Sequence, residues 1–146
     1  MNFTTYDSTT GKILLNVTCI DESTMDINFP GINYILGNYS GNDYYIDITS
    51  KNPISKPINP SGNFLSYDWD STNKVWTINL SDSGTNIRRE RNNLLGHIDK
   101  VNPVWYAGLT ADQQTELAAY RTALLNVPQQ TGFPTEIEWP TKPSWL

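Results

Sequence analysis

Val75-Trp76-Thr77-Ile78-Asn79-Leu80-Ser81-Asp82-Ser83-Gly84-Thr85-Asn86-Ile87-Arg88-Arg89-Glu90-Arg91-Asn92-Asn93-Leu94-Leu95-Gly96-His97-Ile98 is the stretch in which the hydrophobic period of this chain changes. Before the Ser/Gly cluster, Trp76, Ile78 and Leu80 alternate with polar residues, the period of a strand with one buried face. After it, Ile87, Leu94, Ile98 and Val101 fall on one helical stripe with Leu95 beside it. The change predicts an α+β chain: a β-rich N-terminal domain over 1–82 and a helical C-terminal domain over 83–146. The first main helix is expected over 85–101. Gly96 inside it, about 1 kcal/mol worse than Ala, suggests a kink or a close contact.

Working back toward the N-terminus, the pattern is one of short antiparallel strands. Phe3–Tyr6 runs into the turn-forming cluster Asp7-Ser8-Thr9-Thr10-Gly11, and Ile13, Leu15 and Val17 then alternate, which reads as a hairpin. A second hairpin is expected between Ile32–Leu36 and the alternating Tyr44, Ile46 and Ile48, across the Gly/Asn-rich 37–43. Pro53, Pro57 and Pro60 exclude a central strand from 51–62 and leave an extended connection or an edge. Phe64–Trp69 and Val75–Leu80, joined by Asp70–Lys74, form the last pair. No internal repeat stands out.

Working forward, Asn102-Pro103 stops the first helix, and 102–109 reads as a connection. Thr110-Ala111-Asp112-Gln113 has the S/T-x-x-E/Q form of a capping box. It starts a second helix over 111–125, with Leu117, Tyr120 and Leu124 on its inner face. Residues 129–146 carry Pro134, Pro140 and Pro143 among Phe133, Trp139 and Trp145. That is too much proline for a helix and too many aromatics for a solvated linker, so an extended Pro/Trp tail pinned by its rings is expected.

The chain has 146 residues, 38% hydrophobic and 17% charged, which places it among globular chains of one ordinary domain or two very small ones. Its net charge of −5 argues against sequence-independent nucleic-acid binding. All of that charge lies in residues 1–84; residues 85–146 balance. The single cysteine, Cys19, sits in an apolar run and reads as a buried structural thiol. The opening Met1-Asn2-Phe3-Thr4-Thr5 lacks a basic region followed by an apolar stretch, so neither a signal peptide nor membrane insertion is expected. Five Trp and eight Tyr exceed what a small core needs, and such aromatics often serve interfaces.

A search for chemistry returns little. His97, the lone histidine, is two residues from Asp99 on a helix, a spacing that does not bring side chains together. No nucleophile-elbow, zinc-protease or phosphate-loop motif occurs. The carboxylate pairs Asp68/Asp70 and Asp43/Asp47 could in principle serve glycoside hydrolysis, but solvated hairpin ends explain them more simply. Arg88-Arg89-Glu90-Arg91 is either a solvated, ion-paired face or an interface patch.

From Ile87 onward the residues form a spaced series: Arg88-x-x-Arg91-Asn92-x-Leu94-Leu95, then Asp99, then Tyr120-Arg121-x-x-Leu124-Leu125-x-Val127-Pro128, then Phe133-Pro134 and Trp139-Pro140-x-x-Pro143. In order and spacing this resembles the phage tail assembly chaperone family. Many relatives carry Trp directly after the aspartate, where this chain has Lys100; Trp105 lies on a different spacing. The resemblance implies a chaperone or adaptor that helps a trimeric tail fibre fold, attach or mature, with the fibre as partner. It is then either released or kept at the fibre tip. The site of action is the host cytoplasm during assembly, or the virion tail. The resemblance implies no cofactor, no metal and no catalytic residue. The candidate partner-binding residues are Arg88, Arg91, Asn92, Tyr120, Arg121, Trp139 and Trp145. A second reading is a structural virion component that contacts the host surface, with Tyr34, Tyr39, Tyr44 and Tyr45 beside Gly/Asn turns as a glycan-binding set. A third is a small depolymerase.

Overall fold

The computed structural model describes every residue, 1–146. It divides into two compact units, residues 1–60 with 69–77 and residues 61–68 with 78–146. The class is α+β, with short antiparallel strands first and helices after.

In the first unit β1 (Asn2–Tyr6) is central, between β2 (Ile13–Thr18) and β3 (Asn33–Leu36), both antiparallel to it. Phe3, Thr4, Thr5 and Tyr6 are all buried, so β1 is covered on both faces. Thr4 is tolerated there because its hydroxyl donates to Asn16 Oδ1 at 2.6 Å and accepts from Tyr39 N–H at 3.0 Å. The first hairpin is as expected. The second is not: Ile32–Leu36 pairs with β1, whereas β4 (Tyr44–Ile46) pairs with β5 (Pro53–Ser55). Alternation reports which face a strand buries and leaves its partner open. Pro53 is tolerated because β4 and β5 form a two-stranded ribbon that is all edge.

Between β2 and β3 lies a helix that the periodicity did not reveal, α1 (Glu22–Asn28). Asp21 caps it, accepting from Thr24 N–H at 2.8 Å, and Met25, its one buried residue, packs with Phe3 and Cys19. Seven residues with a single buried position leave no helical stripe to read.

The hairpins share a turn. Asp7, Asp47 and Asp70 each accept from the N–H two residues on, at Thr9, Thr49 and Thr72. The residues four positions on, Gly11, Lys51 and Lys74, have positive φ and donate back to the aspartate carbonyl. The motif Asp-x-Thr-x-Gly/Lys thus recurs at β1–β2, at β4–β5 and at the ribbon of β6 (Tyr67–Asp70) and β7 (Val75–Ile78). It is the side-chain-supported turn that Asp favours. Gly11 is required twice over: its φ is +68°, and a Cβ there would collide with the Ile46 carbonyl.

In the second unit α2 spans Leu80–Asp99, starting five residues before the expected point. Asn79 caps it, accepting from Asp82 N–H at 2.9 Å. Ser81–Gly84 is therefore the first turn of the helix and not a break before it. Ser83 is fully buried and bonds to Ser66, so tertiary contacts outweigh poor helix propensity. Gly96 lies inside the continuous helix α2, and the close contact expected there is absent: a Cβ would meet open space. The connection at 102–109 holds a short helix, α3 (Pro103–Ala107), with Asn102 as its cap. The capping box at Thr110 forms both of its hydrogen bonds, and α4 runs Ala111–Asn126 before a 3-10 turn at Val127–Gln129.

Candidate functional site

The seven candidate partner-binding residues all lie in the second unit, on α2, on α4 and in the tail, whereas Tyr34, Tyr39, Tyr44 and Tyr45 lie in the first. The two helices pack antiparallel through Leu95, Ile98, Leu117, Tyr120 and Leu124, with Leu94, Leu109, Trp139, Trp145 and Leu146 against this core. Burying Tyr120 desolvates its phenol and pushes its pKa up.

Polar groups clip the helices together at the rim. Arg121 Nε donates to Asp99 Oδ1 at 2.7 Å, and the guanidinium reaches the second carboxylate oxygen at 3.4 Å. That hydrogen bond holds the Asp99 carboxyl below its ordinary value, and Arg121 is raised in turn. Arg91 reaches the Leu125 carbonyl at 3.5 Å, near the C-terminus of α4, where a cation complements the helix dipole. Asn92 accepts from Arg91 Nε at 2.8 Å.

The tail docks through its aromatics. Phe133 lies under the Arg88 guanidinium, 4.8 Å from its ring centroid, a cation–π arrangement. Gly84 makes room for both: a Cβ there would come within 3.1 Å of Arg88 and 3.3 Å of Phe133. The loop after Phe133 is closed by Gln130, whose side-chain amide donates to the Glu138 carbonyl and accepts from the Glu138 N–H, both at 2.8 Å. Trp139 meets Phe64 edge-on with centroids 5.8 Å apart. Phe64 belongs to the segment 61–68, which Asn86 holds by bonding to the Phe64 carbonyl and the Ser66 hydroxyl. Trp145 packs on Trp105 at 6.5 Å and donates its indole N–H to Glu116.

All seven singled-out residues are thus within one unit, but they do not converge on one point. Tyr120 is core. Trp139 and Trp145 fasten the tail, and Arg88, Arg91, Asn92 and Arg121 are surface groups with internal partners. Gln130, Phe64 and the residues of α3 escaped the sequence reading. Gln130 and Phe64 act through contacts distant in sequence, and α3 is too short to show a period. In the first unit, Asp47 and Asp70 are drawn into their own turns, whose N–H donors keep both carboxyls low. No three His, Cys, Asp or Glu side chains converge as a metal-binding group.

The C-terminal region is therefore an antiparallel helix pair strapped by an aromatic tail, built from the same spaced residues that the sequence displayed. Residues 84–144 match the family described as phage tail assembly chaperone protein. The expected resemblance of the C-terminal half is thereby borne out, and it supports a chaperone role in phage tail assembly, with a phage tail protein as the implied partner. That family suggests a non-enzymatic role. No curated protein and no solved structure matches the chain. No helix is long and apolar enough to cross a membrane.

Proposed function

We propose that this chain is a tail-fibre assembly chaperone or adaptor that binds a trimeric fibre near its tip, acting in the host cytoplasm during assembly and then either released or kept on the virion tail. The observation that carries the reading is the family match over 84–144, a segment that holds Trp105 and Trp139 and ends just before Trp145. Fibre subunits expose apolar faces before they trimerise, and aromatic surfaces are suited to cover them. Residues 83–146 act as the chaperone domain and 1–82 as a separate β-rich domain. Arg88, Arg91, Asn92 and Arg121 offer exposed polar contacts to the fibre. Tyr120, Trp139 and Trp145 hold the surface in shape from below.

The test is coexpression with the fibre protein of the same phage. Copurification and a raised yield of fibre trimer support the reading; a fibre that trimerises equally well alone, with no complex formed, refutes it. Mass spectrometry of purified particles decides retention.

A second reading, direct contact with a host-surface glycan, draws on one feature of the first unit. Tyr45 stacks on Trp69 at 5.7 Å, Trp69 meets Trp76 at 5.2 Å, and Lys56 lies over both indoles. Aromatic planes of this kind can stack on sugar rings, and a glycan array with the isolated protein tests it.

A further inference from the structure

Trp139-Pro140-Thr141-Lys142-Pro143-Ser144-Trp145-Leu146 closes the chain as a segment without helix or strand, laid against the helix pair. Its two ends dock: Trp139, Trp145 and Leu146 pack on the core formed by Leu95, Ile98, Leu117, Tyr120 and Leu124. Its middle stands off. An open groove of about 630 Å³ separates Pro140–Ser144 from Ala119, Tyr120 and Ala123 of α4. Set against the roughly 30 Å³ share of one water, that is far from the close contact of a packed interior.

The polar fastening is uneven as well. Up to Glu138 the tail is clamped by the two hydrogen bonds that Gln130 makes to the Glu138 main chain. Beyond that point, Pro140 and Pro143 have no N–H to donate. The Leu146 N–H donates to the Pro143 carbonyl and Lys142 Nζ to the Leu146 carbonyl, so both of these bonds close within the segment. The bond that ties it to α4 is at the far end, from the Trp145 indole N–H to the Glu116 carboxylate. A segment with few buried contacts and a solvated main chain lies at the low-stability end of a fold and opens without the rest. The docked Trp145 and its bond give this one a defined closed state, which a merely frayed terminus lacks.

We infer that Pro140–Leu146 is a hinged strap, which opens as one piece about Pro140 while Trp139 stays docked, with the Glu116–Trp145 bond as its latch. The hinge falls at Pro140 because the clamp at Glu138 and the Trp139–Phe64 ring pair hold the chain immediately before it. Opening frees Trp145 and Leu146 from the core and uncovers the side of α4 that carries Ala119, Tyr120 and Ala123. Whatever binds that side competes with the strap, and its apparent affinity is scaled by the open fraction.

The probe is carboxypeptidase A acting on the full chain, with release of Trp145 after Leu146 followed by mass spectrometry. The enzyme reaches these residues only when the strap is open, so the rate reads the open population. Release is expected to be slower than from the free peptide of residues 139–146. It should also be unchanged by dilute urea, because opening exposes little surface. Glu116 is exposed, so Glu116→Ala removes the latch and leaves the core intact. It is expected to speed release about fivefold, with Tm within about 2 °C of wild type. Glu116→Gln keeps an acceptor and should recover most of the difference. Release as fast as from the free peptide would mean a frayed end with no closed state. Release that accelerates with urea in step with global unfolding would make the segment a fixed part of the core. An unchanged rate in Glu116→Ala would remove the latch. Any of the three overturns the proposal.

Discussion

Trp139→Ala tests whether the tail is a working part of the second unit. The indole is half-buried, packs against the Leu95–Leu124 core and meets Phe64 edge-on at 5.8 Å. A buried Trp removes about 150–250 Å² from water. With part of the ring in solvent, about 100 Å² of apolar surface is involved, or about 2.5 kcal/mol at ~25 cal/mol/Å². The edge-to-face pair adds about 1 kcal/mol. The tail can relax into some of the gap, so the net loss is about 2–3 kcal/mol. At about 3–4 °C per kcal/mol for a chain of this size, Tm falls by about 8–10 °C. Calorimetry reads the shift, and near-UV circular dichroism reads the loss of the Phe64–Trp139 pair. Trp139→Phe, which keeps a ring, should recover about half of the loss. A Tm within about 2 °C of wild type, with the near-UV spectrum altered only by the missing chromophore, would refute the claim that the ring carries the tail.

Thr110→Ala removes half of the capping box and should cost about 1 kcal/mol, read as a lower denaturant midpoint with an unchanged slope. Gly11→Ala forces a Cβ into the Ile46 carbonyl at positive φ, and a loss of at least about 2 kcal/mol is expected from the clash and strain together. The Asp99 carboxyl is held below 3.8 by its bond to Arg121. A depressed carboxylate stabilises the fold above its unfolded pKa, and that stability is lost as pH falls through the folded value. Asp99→Asn should accordingly show a shallower loss of stability below about pH 4 than wild type in acid unfolding. The Tyr34 phenol is pushed up to about 12, first by its hydrogen bond to Asp26. The stabilised form is the neutral one, so its contribution is present below 10.0 and lost as pH rises through about 12. An absorbance titration should show one late phenol, and Asp26→Asn should bring it forward.

Several elements were legible because their signals are local. The Thr110 box is one turn of chain that satisfies its own donors, and it formed as read. Leu117, Tyr120 and Leu124 repeat on one helical face, and all three are buried. The spaced series of the C-terminal half was legible as well, because Arg91, Asp99, Arg121 and Phe133 each hold a fixed partner whose position depends on spacing. The elements that were misread depend on contacts far along the chain. Ser81–Gly84 looks like a break by propensity, yet it is helix because Ser66 and Phe133 cover that face. The Asp-x-Thr-x-Gly/Lys turn was visible as isolated turns but not as a recurrence, since only the backbone shows that Lys51 and Lys74 adopt the conformation of Gly11.

By itself, then, the sequence determined the α+β class, the capped helix α4, the inner faces of the helix pair and the resemblance of the C-terminal half, since all of these rest on periodicity and spacing along a few turns of chain. Only the tertiary structure decided that β1 is the central strand and which partner β3 takes, because alternation encodes a face and not a neighbour. It alone decided which aromatics turn inward. Trp105, Trp139 and Trp145 are equivalent as letters, and what separates them is the position of each relative to a core assembled from distant segments.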